Sequence, residues 1–456
     1  MKIWNIALLI AWLGLGVACT AAPPPTPTPI PPIAPILNAQ ASPVATATAT
    51  PTQVVAPTAT PEPTPTPTSI PALKIGVLLD KTGGLADYAA MIENGFNLGL
   101  DYATSGKREI VGKPVQIILR DTESKPDNAA QFARELLDKE KVEILIAPQT
   151  ASAALAVSDV AKQAQRVVIH TTSHPDPTGR TFNPYAFRAA RTNVQDALAL
   201  ANMLSRKSKT FVQIAPAGPL GTVSAAWFYY AVKNNGGQFA INDNVNQLGA
   251  VLIPADAKDW LPYVQRAIKA QPEVLIVTWI GPGFASLFNQ MQSQGVMKTL
   301  TVGTLFPDNR AIQAGYKPLV GVLGITNYHY TLPKNAANDW LVEKHKAQFK
   351  TPPDIFTETG FVAAQMLVAG LKATNGDTSG DKLSAALEKL SFDGPKGKYT
   401  VRDFDHVLLQ PLFAVKLNNT DHPDFKFFES LGEVRPEDSA PLCLLESEFK
   451  SRCPVK

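Results

Sequence analysis

Three short clusters of hydroxyl, amide and aromatic residues carry most of the chemistry this chain can offer. They are Thr82-Gly83-Gly84-Leu85-Ala86-Asp87-Tyr88, Gln149-Thr150-Ala151-Ser152 and Thr171-Thr172-Ser173-His174. Hydroxyl groups beside the free N–H groups of a helix start suit a small anion such as a carboxylate. An aromatic ring adds an apolar face to such a site. For any single Ser or Thr, capping a helix is the ordinary role. Three clusters at corresponding positions in one sheet point instead to a shared cleft.

Other chemistries find less support. Gly281-Pro282-Gly283-Phe284-Ala285-Ser286 follows a strand and opens a helix, as a dinucleotide fingerprint would. It lacks the last glycine, and Pro282 has no N–H to give a phosphate. His170 and His174 are four apart, but they straddle a strand end and a loop, with no Glu or Cys pattern to complete a metal site. No Gly-x-Ser-x-Gly elbow, Walker loop or His-Glu-x-x-His motif occurs. Asp80, Asp87 and Asp121 end strands or start helices, where capping is the default. The sequence therefore predicts no catalytic residue, no cofactor and no metal.

The clusters need elements to hold them, and from Lys74 the pattern is strand–helix alternation. Strands are predicted at Lys74–Asp80, Val115–Asp121, Val142–Pro148 and Arg166–Thr171, with helices at Tyr88–Ala103, Asp127–Glu140 and Ser152–Gln165. Short apolar runs of this kind are strands buried on both faces of a parallel sheet. Each cluster then follows a strand's carboxyl end, where open α/β sheets bind ligands. The alternation restarts with strands at Thr210–Ala215, Glu273–Ile280 and Thr299–Gly303 and helices at Val223–Asn234, Trp260–Ala270 and Ala285–Gln294. Helices at Ala337–Phe349, Phe356–Ala373 and Lys382–Leu390 follow, then strands at Lys398–Asp403 and Leu412–Leu417. The predicted fold is α/β: two doubly wound parallel-sheet lobes joined by a multi-strand hinge, with a cleft between strand ends.

The front of the chain reads as an address. Met1 and Lys2 precede an apolar stretch from Ile3 to Val17, shorter than the ~20 residues that span a bilayer. Residues 1–19 read as a secretory signal with a lipid-attachment cysteine, Cys19, behind Gly16-Val17-Ala18. Residues 20–71 read as a Pro/Thr-rich spacer whose one charge is Glu62; as polyproline II it would reach roughly 150 Å. The formal net charge of +3 over 456 residues, with no basic block, argues against a nucleic-acid partner. Apart from Cys19 there are only Cys443 and Cys453, and two thiols outside the cytoplasm most simply pair.

The chain resembles the solute-binding receptors of ABC importers, in the branched-chain amino acid and amide branch, which have the type I periplasmic binding protein fold. The stretches that carry the resemblance run in order from Lys74–Tyr88 through Ile118–Leu137, Ala147–Ser173 and Phe187–Asp196 to Tyr328–Ala364 and Phe392–His406. The resemblance implies a lobe of 72–193 plus 328–397, a second of 194–327 plus 398–420, and a C-terminal tail of 421–456 holding the disulfide. It implies ligand contacts from Tyr88, from Thr150, Ala151 and Ser152, from Thr172, Ser173 and His174, and from an aromatic of the second lobe near Trp279 or Ile280. The acids that hold an α-ammonium in amino-acid binders fall on Asn193 and near Leu305 or Phe306. A buried ammonium without a countercharge is costly, so a carboxylate, amide or aromatic acid becomes an alternative to leucine-like ligands. Arg191 and Asp308 lie nearby.

The expected protein is an exported, membrane-anchored monomer, periplasmic or on the cell surface, passing a small solute to an ABC permease. A ligand sensor for a signalling system and a secreted α/β hydrolase are the rival readings.

Overall fold

The computed structural model describes residues 70–241, 248–254, 256–279 and 283–455. Cys19 and the spacer up to Ser69, Ile280, and the Gly281-Pro282 pair lie outside the described residues. No described helix is long and apolar enough to cross a membrane.

The first sheet has six strands, in the order Glu109–Ile110, Lys113–Asp121, Leu73–Leu79, Ile144–Ala147, Val168–His170 and Ala186–Arg188. All its pairings are parallel except the short hairpin at Glu109–Ile110. Ile75, Ile144, Ile146 and Ile169 are fully buried, because helices cover both faces. The second sheet runs Phe428–Val434, Leu412–Leu417, Leu323–Thr326, Thr301–Leu305, Val274–Val277, Thr210–Pro216 and Gln238–Phe239, with Ala250–Ile253 also on Thr210–Pro216. Leu412–Leu417 and Phe428–Val434 join it antiparallel. Each sheet has its own apolar core.

Two corrections to the expected lobes follow from packing. Tyr399, Val401 and Leu408 are buried in the first core. They belong to a small antiparallel sheet of Ser391–Gly394, Gly397–Val401 and Leu408–Leu409. Only from Leu412 does the last part of the chain enter the second lobe. The tail is also not all appendage, since Phe428–Val434 extends the second sheet. The expected disulfide joins Cys443 and Cys453.

Helix Ala86–Ala103 carries Tyr88, and its placement depends on glycine. It lies along helix Ile355–Ala373 closely enough that a Cβ on Gly95 would overlap the Thr357 carbonyl, and one on Gly360 would overlap the Ile92 carbonyl. The clashing atoms are backbone and cannot turn away. Gly95→Ala should therefore destabilise the fold by about 1–3 kcal/mol through overpacking, read as a lower urea midpoint. An unchanged midpoint would show that the helices pack less tightly than described.

Candidate functional site

The carboxyl ends of the first sheet are tied together by Asp80. Its carboxylate is fully buried and accepts from Thr122 Oγ1 (2.5 Å), Gln149 N (3.1 Å) and Thr150 N (2.8 Å). Asp80 is thus a clamp across three strand ends rather than a helix cap. It fixes the start of helix Ala151–Gln163, where Thr150 occupies the N-cap position without a side-chain cap bond. The Thr150 hydroxyl and both polar atoms of the Gln149 side chain are buried without hydrogen-bond partners. Unpaired buried polar atoms are costly, and here they cluster at the sheet end, where the helix also presents free N–H groups. Ala151 is half-buried and Ser152 exposed.

A second buried group shapes the neighbouring loop. The Arg188 guanidinium donates to the carbonyls of Thr172 and His174, both at 2.6 Å, and to Thr178 Oγ1 at 3.0 Å. Its burial pulls it down to about 9. The curl it imposes leaves Ser173 and His174 half-buried. Ser173 O accepts from Asn193 N at 3.0 Å, and Asn193 Oδ1 is a further buried acceptor without a partner. His174 Nδ1 accepts from Asp176 N at 3.4 Å, and burial lowers its pKa. His170 is fully buried and pulled down to about 3. Among the described residues, no group of three His, Cys, Asp or Glu is placed to hold a metal.

Tyr88 touches both lobes. Its ring packs on Phe356 (centroids 4.3 Å apart), and its hydroxyl donates to Asp308 Oδ2 at 3.1 Å. Burial and the Asp308 charge push the phenol well above its usual range. Asp308 also caps helix Asn309–Gly315, its Oδ1 accepting from Arg310 N and Ala311 N. Two further contacts cross the cleft here. Asp354 Oδ2 accepts from Asn309 N at 2.8 Å, and Arg310 reaches Asp87 at 3.4 Å on the exposed rim. The lobes therefore touch at this edge. Trp279 is 8 % exposed and packs edge-on against Trp260 in the second core.

The cluster residues of the first lobe thus come together, while Tyr88 is engaged with Asp308 and Trp279 with its own core. Asp354 was not foreseen. It is buried at the start of helix Ile355–Ala373 and pushed up to about 7, first by burial and then by the Asp308 charge. Its preceding Pro352-Pro353 gave only a helix-start signal.

The chain passes between the lobes three times, after Arg188, after Thr326 and after Leu409, and these crossings meet at Lys396, also missed from sequence. Its ammonium, with no solvent exposure, donates to Asn327 Oδ1 (2.7 Å) in the second crossing and Gln410 Oε1 (2.5 Å) in the third. Gln410 Nε2 reaches Ala189 O in the first crossing at 3.5 Å. Glu358 lies 3.6 Å from Lys396 and accepts from Tyr399 OH at 2.6 Å. Burial draws the ammonium down to about 8.

Residues 72–422 match the family described as periplasmic binding protein. Among solved structures, an ABC-type branched-chain amino acid transporter from Rhodopseudomonas palustris is 30% identical, with a TM-score of 0.74, covering 82% of this chain and all of its own. A solute-binding protein from the same species, solved with benzoate, is 22% identical, with a TM-score of 0.65, covering 80% of this chain and 97% of its own. A leucine-binding protein from Thermotoga maritima is 19% identical, with a TM-score of 0.66, covering 80% of this chain and all of its own. No curated protein sequence matches the chain.

Two predictions follow from these buried charges. Lys396→Met removes one member of a buried pair and leaves Glu358 without its cation, so stability should fall by about 3–5 kcal/mol in chemical denaturation; a loss under 1 kcal/mol would contradict the pairing. Asp354 is raised toward 7 where the lobes touch, and opening hydrates it and returns it toward the usual carboxylate range. Its protonated form therefore favours closure, which should take up a proton between about pH 4 and 7 and strengthen as pH falls through that window. Calorimetric binding in buffers of different ionisation enthalpy should show that uptake, and Asp354→Asn should remove it. Proton release on binding would reverse the assignment.

Proposed function

The chain belongs to the periplasmic binding protein family, and we propose that it is an extracytoplasmic receptor that takes a small organic carboxylate to an ABC permease without altering it. The observation that carries this reading is the pair of unpartnered buried donors, Thr150 Oγ1 and Gln149 Nε2, at the first sheet's carboxyl end. They surround a helix start that favours an anion. A carboxylate accepting from the Thr150 hydroxyl and the Gln149 amide group satisfies donors that otherwise remain unpaired in a low-dielectric cleft.

The same site offers little to an α-ammonium. Asn193 is neutral, and Asp308 is occupied by Tyr88 and by the first turn of its own helix. Acids without the amino group, including aromatic ones, fit this arrangement better than leucine. The benzoate held by a structural neighbour is an example of the class. Closure of the second lobe onto the bound acid then presents a joined surface to the permease.

Cys19 as a lipid-bearing residue, followed by the proline-rich spacer, would hold one such chain near the membrane. That arrangement suits a monomeric receptor that searches for its permease over a short radius, and several acyl chains anchor where one would not. Nothing in this scheme requires turnover, cofactor or metal.

Isothermal titration against benzoate, hydroxybenzoates, short aliphatic acids, leucine and leucine amide tests the reading. The acids should bind at least about tenfold more tightly than leucine, about 1.4 kcal/mol, and be recovered chemically unchanged. Thr150→Val should weaken the acid roughly 10–150-fold, the cost of one lost hydrogen bond to a charged group. Preference for leucine over every acid, or a modified product, would overturn it.

A further inference from the structure

The C-terminal segment reaches both lobes. Its first part belongs to the second lobe: Phe428–Val434 pairs with Leu412–Leu417, and Asn202 Nδ2 donates to Asp438 O at 2.5 Å. Its last part lies on the first lobe. Arg402 Nη1 donates to Pro441 O at 2.8 Å, Leu445 is fully buried, and the Phe449 ring meets Phe182 at 5.0 Å. Arg452 makes the strongest attachment. Its guanidinium sits 5.2 Å above the Phe182 ring, donates to Phe404 O at 2.9 Å and pairs with Glu388 at 2.6 Å. The Cys443–Cys453 bond closes the loop that carries Leu445, Phe449 and Arg452.

The place where this segment leaves the second lobe matters. Val434 pairs with Leu412, the first residue of the strand that follows the third crossing. The stretch from Arg435 to Ala440 therefore runs beside that crossing. We infer that residues 428–453 form a disulfide-clipped fourth crossing, a strap that limits how far the two lobes can separate. Three crossings allow rotation and twist about the hinge. A fourth attachment, offset from the others and anchored at both ends, restricts that rotation at the cost of a short linker. The disulfide acts locally: it holds the three first-lobe anchors in one rigid loop, so they detach together or not at all. The strap works on the lobes whatever the solute, so it stands or falls apart from the carboxylate reading.

The amide of Asn309 reports on lobe separation, because its N–H is held by Asp354 only while the lobes touch. Hydrogen exchange of that amide should be measured on the full chain without solute, beside two variants. One ends at Ala440, which removes the first-lobe half of the strap. The other is Arg452→Ala kept under reductant, which loosens the same half by point change. In both, exchange at Asn309 should rise about tenfold or more, while Leu275, in the second core, keeps its protection. Lys233→Ala, an exposed change on the second lobe away from the strap, should leave Asn309 unaffected. Faster exchange at 441–453 in the Arg452→Ala chain, with Asn309 unchanged, would mean that the segment is a passive tail. If the shortened chain does not fold, the Arg452→Ala result decides alone.

Discussion

One buried ammonium holds the hinge in register. Lys396 donates to the second and third crossings at once, and Gln410 passes the connection on to the first. A charge this deep in protein is tolerable only with Glu358 beside it and amide oxygens around it. The consequence is geometric. The crossings cannot slide past one another without stripping a buried cation of its partners, so the remaining easy motion is rotation of the lobes about that point. A receptor that grips a solute between two halves needs such a restriction, because strand-end loops must return to the same register at each closure.

The first lobe prepares its half of the cleft with the same kind of device. Asp80 fixes the backbone of Gln149 and Thr150, and Arg188 fixes the carbonyls of Thr172 and His174. Each is a buried charge whose partners are mostly main-chain groups. The loops between strand and helix would otherwise be the most mobile parts of the sheet. Held this way, they present their polar atoms to a solute without having to be ordered by it. The second lobe contributes a touching edge through Asp308 and Asn309, so closure is read where the first lobe is already rigid.

Much of this architecture was legible in the sequence. Runs such as Ile144–Ala147 and the alternation after Lys74 mark buried parallel strands because side chains covered on both faces must all be apolar. The strand-end clusters were legible for the same reason, since they interrupt those runs. What escaped was long-range pairing. Lys396 sits in a glycine-flanked turn, and its partner Asn327 is 69 positions away. Tyr88 stands out in the sequence as an aromatic after the first strand, but its bond to Asp308 spans 220 positions. A single tryptophan at a strand end looks the same whether it lines a cleft or packs into a core, and Trp279 packs on Trp260 in the second core. Phe428–Val434 was missed because an edge strand is largely exposed and needs no apolar rhythm.

The most direct test of a hinged clamp is amide hydrogen exchange with and without a bound acid. Protection should rise in the loops that face the cleft, at 80–88, 149–152, 172–174 and 308–310, while the cores around Ile146 and Leu275 stay unchanged. Protection spread evenly through both cores, or none at the loops despite saturating ligand, would contradict rotation about a fixed hinge onto a cleft-bound solute.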